Sequence, residues 1–170
     1  NPDSYSYLLT YALYDNEKPE VENVAVQNID QAGGDSHSFE VTFRDDVAID
    51  VSSIDGLDLR VTGPYDFDQR AEFVSVNFPN DGTPRTATYR ITAPDTTWAY
   101  TDNGVYDIWM EADQVRDTST NSVQEGLLAS FDVNVEPPCN ITLQSYNQVS
   151  SVRIERMLFD YEYTVTLHNG

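Results

Sequence analysis

The sequence predicts an all-β chain built around one antiparallel β-sandwich of about seven strands, with β-rich segments on either side. Three observations carry this expectation. Apolar residues recur with a period of two, whereas helical periodicity is weak almost everywhere. Turn-forming residues punctuate those runs at short intervals. The composition, 39% apolar and 12% aromatic, belongs to a chain that can bury a core. At 170 residues the chain needs no metal or disulfide merely to fold.

The strands follow in order. The first spans Val21–Ile29, with Val24 and Val26 on one face. The second, Ser38–Phe43, alternates Phe39, Val41 and Phe43 with polar residues. In the third, Leu57–Thr62, the alternation sets Leu57, Leu59 and Val61 against Asp58, Arg60 and Thr62. Ala71–Phe78 and Thr86–Ala93 come next, then Gly104–Glu111 and Leu128–Val135, the last aligning Phe131, Val133 and Val135. Gly33-Gly34, Gly63-Pro64, Asn80-Asp81-Gly82 and Asn103-Gly104 supply the positive or fixed φ values that reversals require. Regular spacing of short strands with turns between them is the pattern of a β-sandwich.

The flanks read differently. Tyr5–Tyr14 alternates as a strand and is then broken by Asp15-Asn16-Glu17-Lys18-Pro19. Residues 1–17 are therefore expected to close a preceding domain or to form a linker, and residues 18–136 to make the sandwich. Glu136-Pro137-Pro138 is a stiff break. Beyond it, Asn140–Tyr146, Val149–Met157 and Tyr161–Leu167 read as strands, so residues 137–170 either begin a second β-domain or extend the sandwich. A start at Asn1 and a finish on the turn signal Asn169-Gly170 are what a piece of a larger product would present.

Charge narrows the partners. With 29 acidic residues against 9 basic ones the net charge is −20, and a surface this negative repels nucleic acid and anionic membranes. No apolar run approaches the roughly 20 residues of a membrane helix. Alternate loops of an up-and-down sandwich share a pole. On this topology the leading linker and three inter-strand loops bring Asp15, Asn16 and Glu17, Asp45 and Asp46, Asp81, and Asp113 with Asp117 to one end. Converging carboxylates repel unless a hard cation neutralises them, and calcium accepts six to eight oxygens in flexible loop geometry. The expectation is a Ca²⁺ ion held by Asp45, Asp46, Asp113 and Asp117, with Glu17 close by. The competing expectation is an acidic, solvated pole without an ion.

The most specific short motif is Asp102-Asn103-Gly104-Val105-Tyr106, just before the sixth strand. It fits the tyrosine corner of immunoglobulin-like sandwiches, built from Asp102, Gly104 and Tyr106: the glycine permits the turn, and the buried Tyr hydroxyl finds upstream backbone. The single Cys139 leaves no cysteine pair to bridge the sheets, so an antibody-type domain is excluded. Lys18 to Val135 resembles the bacterial immunoglobulin-like repeats of large secreted and cell-surface proteins. The residues that carry the resemblance are Pro19, Phe43-Arg44-Asp45-Asp46-Val47-Ala48-Ile49, Arg60-Val61-Thr62-Gly63-Pro64, Gly82-Thr83-Pro84-Arg85-Thr86-Ala87-Thr88-Tyr89, the corner motif and Val115-Arg116-Asp117. Phe159 to Gly170 is similar to the start of another bacterial surface β-repeat. The resemblance implies a spacer, stalk, adhesive or enzyme-accessory module at the cell surface or secreted, partnered by neighbouring domains of its own polypeptide, and implies no active site.

Catalytic constellations are not legible. The two histidines, His37 and His168, stand near no nucleophile-elbow sequence, and with one cysteine they give no zinc spacing. Gly33-Gly34 lacks the residues of a phosphate loop. Trp98 reads as core or corner packing. Aromatic residues offer the one competing function: Tyr5, Tyr7, Tyr11 and Tyr14 at the start, and Tyr65 and Phe67 with Phe73 after the third strand, could stack on sugar rings. The leading expectation is a non-catalytic structural or adhesive module whose further partner is a glycan or another surface protein. The alternative is a carbohydrate-binding module accessory to a secreted polysaccharide-degrading enzyme.

Overall fold

The computed structural model describes residues 15–138, together with the backbone of two further strands, 152–155 and 162–165. Two antiparallel sheets of four strands each form a β-sandwich. The strands are β1 (Glu20–Ala25), β2 (Ser36–Arg44), β3 (Leu59–Thr62), β4 (Asp68–Arg70), β5 (Glu72–Val76), β6 (Arg85–Thr92), β7 (Gly104–Met110) and β8 (Gly126–Val133). One sheet has the order β1-β2-β6-β5 and the other β4-β3-β7-β8. Short 3-10 turns at Val51–Ser53 and Tyr100–Asp102 are the other regular elements of the sandwich.

Alternation does the packing. Phe39, Val41 and Phe43 of β2 and Ala87, Tyr89 and Ile91 of β6 point into the space between the sheets. Leu59 and Val61 of β3, Tyr106, Ile108 and Met110 of β7, and Phe131 and Val133 of β8 meet them from the other layer. Each large apolar side chain so buried contributes roughly 1.5–3 kcal/mol. An aromatic cluster fixes one end: Tyr106 stacks on Phe131 at 5.2 Å between centroids and meets Trp98 edge-to-face at 5.5 Å. Trp98 is thus a core residue, as the sequence suggested.

Three details depart from the alternation. The expected strand over Ala71–Phe78 is β5, Glu72–Val76, and a further short strand, β4, precedes it, because the chain changes sheets. Asp68–Arg70 pairs with β3, buried Ala71 makes the crossing, and Glu72–Val76 pairs with β6. The first strand ends at Ala25, not Ile29. Past that point the backbone leaves β2, and Ile29 bridges Val133 of β8 in parallel, its amide donating to Asp132 O at 2.8 Å while Asn134 N donates to Ile29 O at 2.8 Å. At the third strand the parity inverts ahead of Leu59. Leu57 is half exposed in a turn, and Asp58 is fully buried, because Tyr89 from the opposite sheet and the amide of Asp55 both donate to its carboxylate.

The chain divides into two compact units, Asn1–Pro137 and Pro138–Gly170. In the second, the backbone strands β9 (Val152–Glu155) and β10 (Glu162–Val165) form an antiparallel pair that sets Glu155 opposite Glu162. These fall within the expected strands Val149–Met157 and Tyr161–Leu167. The expected strands Tyr5–Tyr14 and Asn140–Tyr146 lie outside the described residues, as do Tyr5, Tyr7, Tyr11 and Tyr14.

Candidate functional site

The loop that follows β2 is shaped by Asp45. Its Oδ2 accepts from the amides of Val47 and Ala48, both at 2.9 Å, and its own amide donates to Thr83 Oγ1 at 3.0 Å. This Asx-type arrangement turns the chain sharply and buries Asp45, while Asp46 stays exposed. Asp15, in the segment ahead of β1, accepts from the amide of Glu17 through Oδ1 at 3.0 Å. One carboxylate oxygen each from Asp15, Asp45 and Asp46 lies within 4.8 Å of the others. Two charges at that separation repel by roughly 3 kcal/mol at an effective dielectric near 20.

The remaining expected ligands stand apart from this group. Asp117 is buried, but its own loop consumes both oxygens: Oδ1 accepts from the amides of Ser119 (2.7 Å) and Asn121 (2.9 Å), and Oδ2 from Asn121 Nδ2 (2.7 Å). Asn121 Nδ2 also reaches Asp15 O at 3.3 Å, so the Asp117 loop holds the leading segment from behind. Asp113 is exposed at positive φ, and its carbonyl accepts from Arg116. Glu17 contributes its amide to Asp15, and its side chain is outside the group. Asp15 was on the expected pole but not in the expected ligand set. The signal that could have picked it out is its place two residues before an amide it can accept from, which orients the carboxylate.

At the corner motif, Tyr106 is buried and its hydroxyl donates to Asp102 O at 3.1 Å. Burial pushes the Tyr106 phenol up to about 12. Asp102 uses its carboxylate to accept from the amide of Ala99 at 2.8 Å. Gly104 takes φ 147°, and a Cβ there would sit 2.4 Å from Pro64 Cγ.

Tyr65 and Phe67 part company. Phe67 turns inward and meets Tyr106 edge-on at 5.2 Å. Tyr65 is 85% exposed at the tip of the hairpin joining β3 and β4. Tyr65 and Asp66 both have positive φ (56° and 62°), a conformation Asp adopts readily and Tyr rarely. Beside them opens a cleft of about 560 Å³, lined by Asp66, Asp68, Gln69, Asp95 and Thr101 among others.

The chain matches no protein-family model. No curated protein matches it either. Among solved structures it is similar to the N-terminal part of the bacterial S-layer protein SbsC, at 23% identity over 81% of this chain and 29% of that one, with a TM-score of 0.41. It is likewise similar to domains 1–6 of surface layer protein SbsC, at 21% identity over 81% of this chain and 17% of that one, with a TM-score of 0.40. The chain therefore spans less than a third of the length of either structure.

Proposed function

We propose that the chain supplies a non-catalytic structural module, an immunoglobulin-like spacer or stalk unit within a larger secreted or cell-surface protein. The observation that carries this is where the buried polar groups spend their bonds. Asp45, Asp102 and Asp117 accept from amides of their own loops, and Asp58 accepts from Asp55 N and from Tyr89 across the sandwich. Acids used in this way stiffen loops and lock one layer to the other. The strand order and the Tyr106–Asp102 corner support the immunoglobulin-like part of the reading.

The test is replacement within the parent protein. Exchanging residues 18–136 for an unrelated sandwich of similar length should preserve the parent's activity, while deleting them should impair it. Loss of activity on exchange would overturn the spacer reading, since only the surface chemistry would have changed.

A second reading has one observation in its favour: Tyr65 is exposed at positive φ beside an acidic cleft, and an exposed aromatic ring of this kind can stack on a sugar. A glycan array probed with the full chain and with Tyr65→Ala distinguishes the two. Binding that disappears in the variant supports an accessory carbohydrate-binding module, and a blank array removes it.

A further inference from the structure

Acids crowd the surface of any chain that carries 29 of them, and proximity alone says little. The group formed by Asp15, Asp45 and Asp46 has a second property. Asp45 is only 6% exposed, yet its Oδ1 has no hydrogen-bond donor, and neither has Oδ2 of Asp15; both atoms are closed to water. Buried carboxylate oxygens are ordinarily paired, because an unpaired anion out of water is costly. Asp58 Oδ1 is the other unpaired buried carboxylate oxygen among the described residues, but Asp58 is not part of any such group of three acids. Two donorless oxygens within a triplet of carboxylates call for a shared cation.

The chemistry selects the ion. All three side chains offer hard oxygen and none offers nitrogen or sulfur, which disfavours zinc. Two oxygens bound to one Ca²⁺ at 2.3–2.6 Å can be no more than about 5 Å apart, and the three here fall within 4.8 Å. Three carboxylates, some bidentate, with water or backbone carbonyls completing the shell, give the six to eight oxygens calcium takes. The two supporting loops are already built. The Val47 and Ala48 amides fix the Asp45 carboxylate, and Asn121, itself gripped by Asp117, fixes the backbone of Asp15.

We propose that Asp15, Asp45 and Asp46 bind one Ca²⁺ ion that ties the segment ahead of β1 to the loop after β2, with Asp117 and Asn121 as positioning residues. The ion site rests on these residues alone; its mechanical role, setting the joint to whatever precedes Asp15, rests on the spacer reading above.

The experiment is calorimetric titration of the chelator-treated full chain with CaCl₂, and in parallel with MgCl₂, alongside limited proteolysis of the segment from Asp15 to Pro19. The expected result is one saturable calcium site with a Kd in the range of about 10⁻⁶–10⁻³ M, and slower cleavage when it is filled. Asp46→Asn, whose side chain is exposed, should weaken binding about tenfold or more without loss of fold, whereas Asp113→Asn should bind as the parent does. The site is overturned by no saturation at about 10 mM Ca²⁺, by equal response to magnesium, or by unchanged affinity in the Asp15→Asn, Asp46→Asn double variant. Saturable binding with cleavage unaltered would keep the ion and overturn the tie, leaving the spacer reading to its own test.

Discussion

Asp58 makes the stability of the sandwich depend on pH in a calculable way. It is fully buried, its Oδ2 accepts from Tyr89 OH at 2.5 Å and from the Asp55 amide at 2.8 Å, and its Oδ1 has no donor. Burial outweighs those two bonds and raises the carboxyl from 3.8 to about 7, and burial likewise pushes the Tyr89 phenol upward. An acid with a raised folded-state pKa binds a proton more tightly when folded. Its favourable contribution is therefore present in full below about pH 4 and is lost as pH rises through about 7. A shift of about three units corresponds to roughly 4 kcal/mol between pH 4 and pH 8, as an upper figure. The Asp58→Asn variant keeps the shape and removes the titration. Urea unfolding of both proteins at intervals from pH 4 to pH 9 should show the parent losing up to ~4 kcal/mol more than the variant. Comparing the two cancels the general self-repulsion of a chain with net charge −20. Parallel stability curves for the two proteins would refute the reasoning.

Other perturbations follow from the same geometry. Gly104→Ala places a Cβ against Pro64 at positive φ and should lower stability by about 1–3 kcal/mol, read as a fall in Tm by thermal denaturation. Tyr106→Phe keeps the ring stack on Phe131 but deletes the bond to Asp102 O, for a loss near 1 kcal/mol in urea unfolding. Tyr65→Gly relieves the left-handed backbone at the hairpin tip, partly offset by the freer unfolded chain, and should raise the unfolding free energy by up to about 1 kcal/mol in urea unfolding. Asp117→Ala strips three acceptor bonds from a buried loop and should cost about 2–3 kcal/mol, visible also as faster amide exchange at Ser119 and Asn121.

What was legible in the sequence is what local periodicity governs. Phe39, Val41 and Phe43, or Tyr106, Ile108 and Met110, announce their inward faces because each strand's period of two acts over neighbouring residues alone. The sheet change at Ala71 was not legible, because it depends on which strand lies alongside: β3 before that residue, β6 after it. The burial of Asp58 was hidden for the same reason, since its partner Tyr89 stands 31 residues away on the other sheet. The sequence placed Asp15, Asp45 and Asp46 on one pole with other acids, but did not show which of them draw together. That choice is made by Asx turns. Asp117 turns both oxygens onto its own loop, whereas Asp45 and Asp15 each leave one oxygen without a donor.

The parallel bridge between Ile29 and Val133 bears on how the module answers tension. Parallel neighbours run the same way, so the chain arrives at Ile29 from one end of the sandwich and departs from Val133 toward the other. A stretch applied along the polypeptide would slide these two segments past each other lengthwise. The bonds Ile29–Asp132, Asn134–Ile29 and Asp132–Asn28 would then be strained together and not opened one after another like a zip. Fastened this way, the segment after β1 would let go of β8 in one step, and with it would go the bonds that tie the first sheet's leading strand to the last strand of the other.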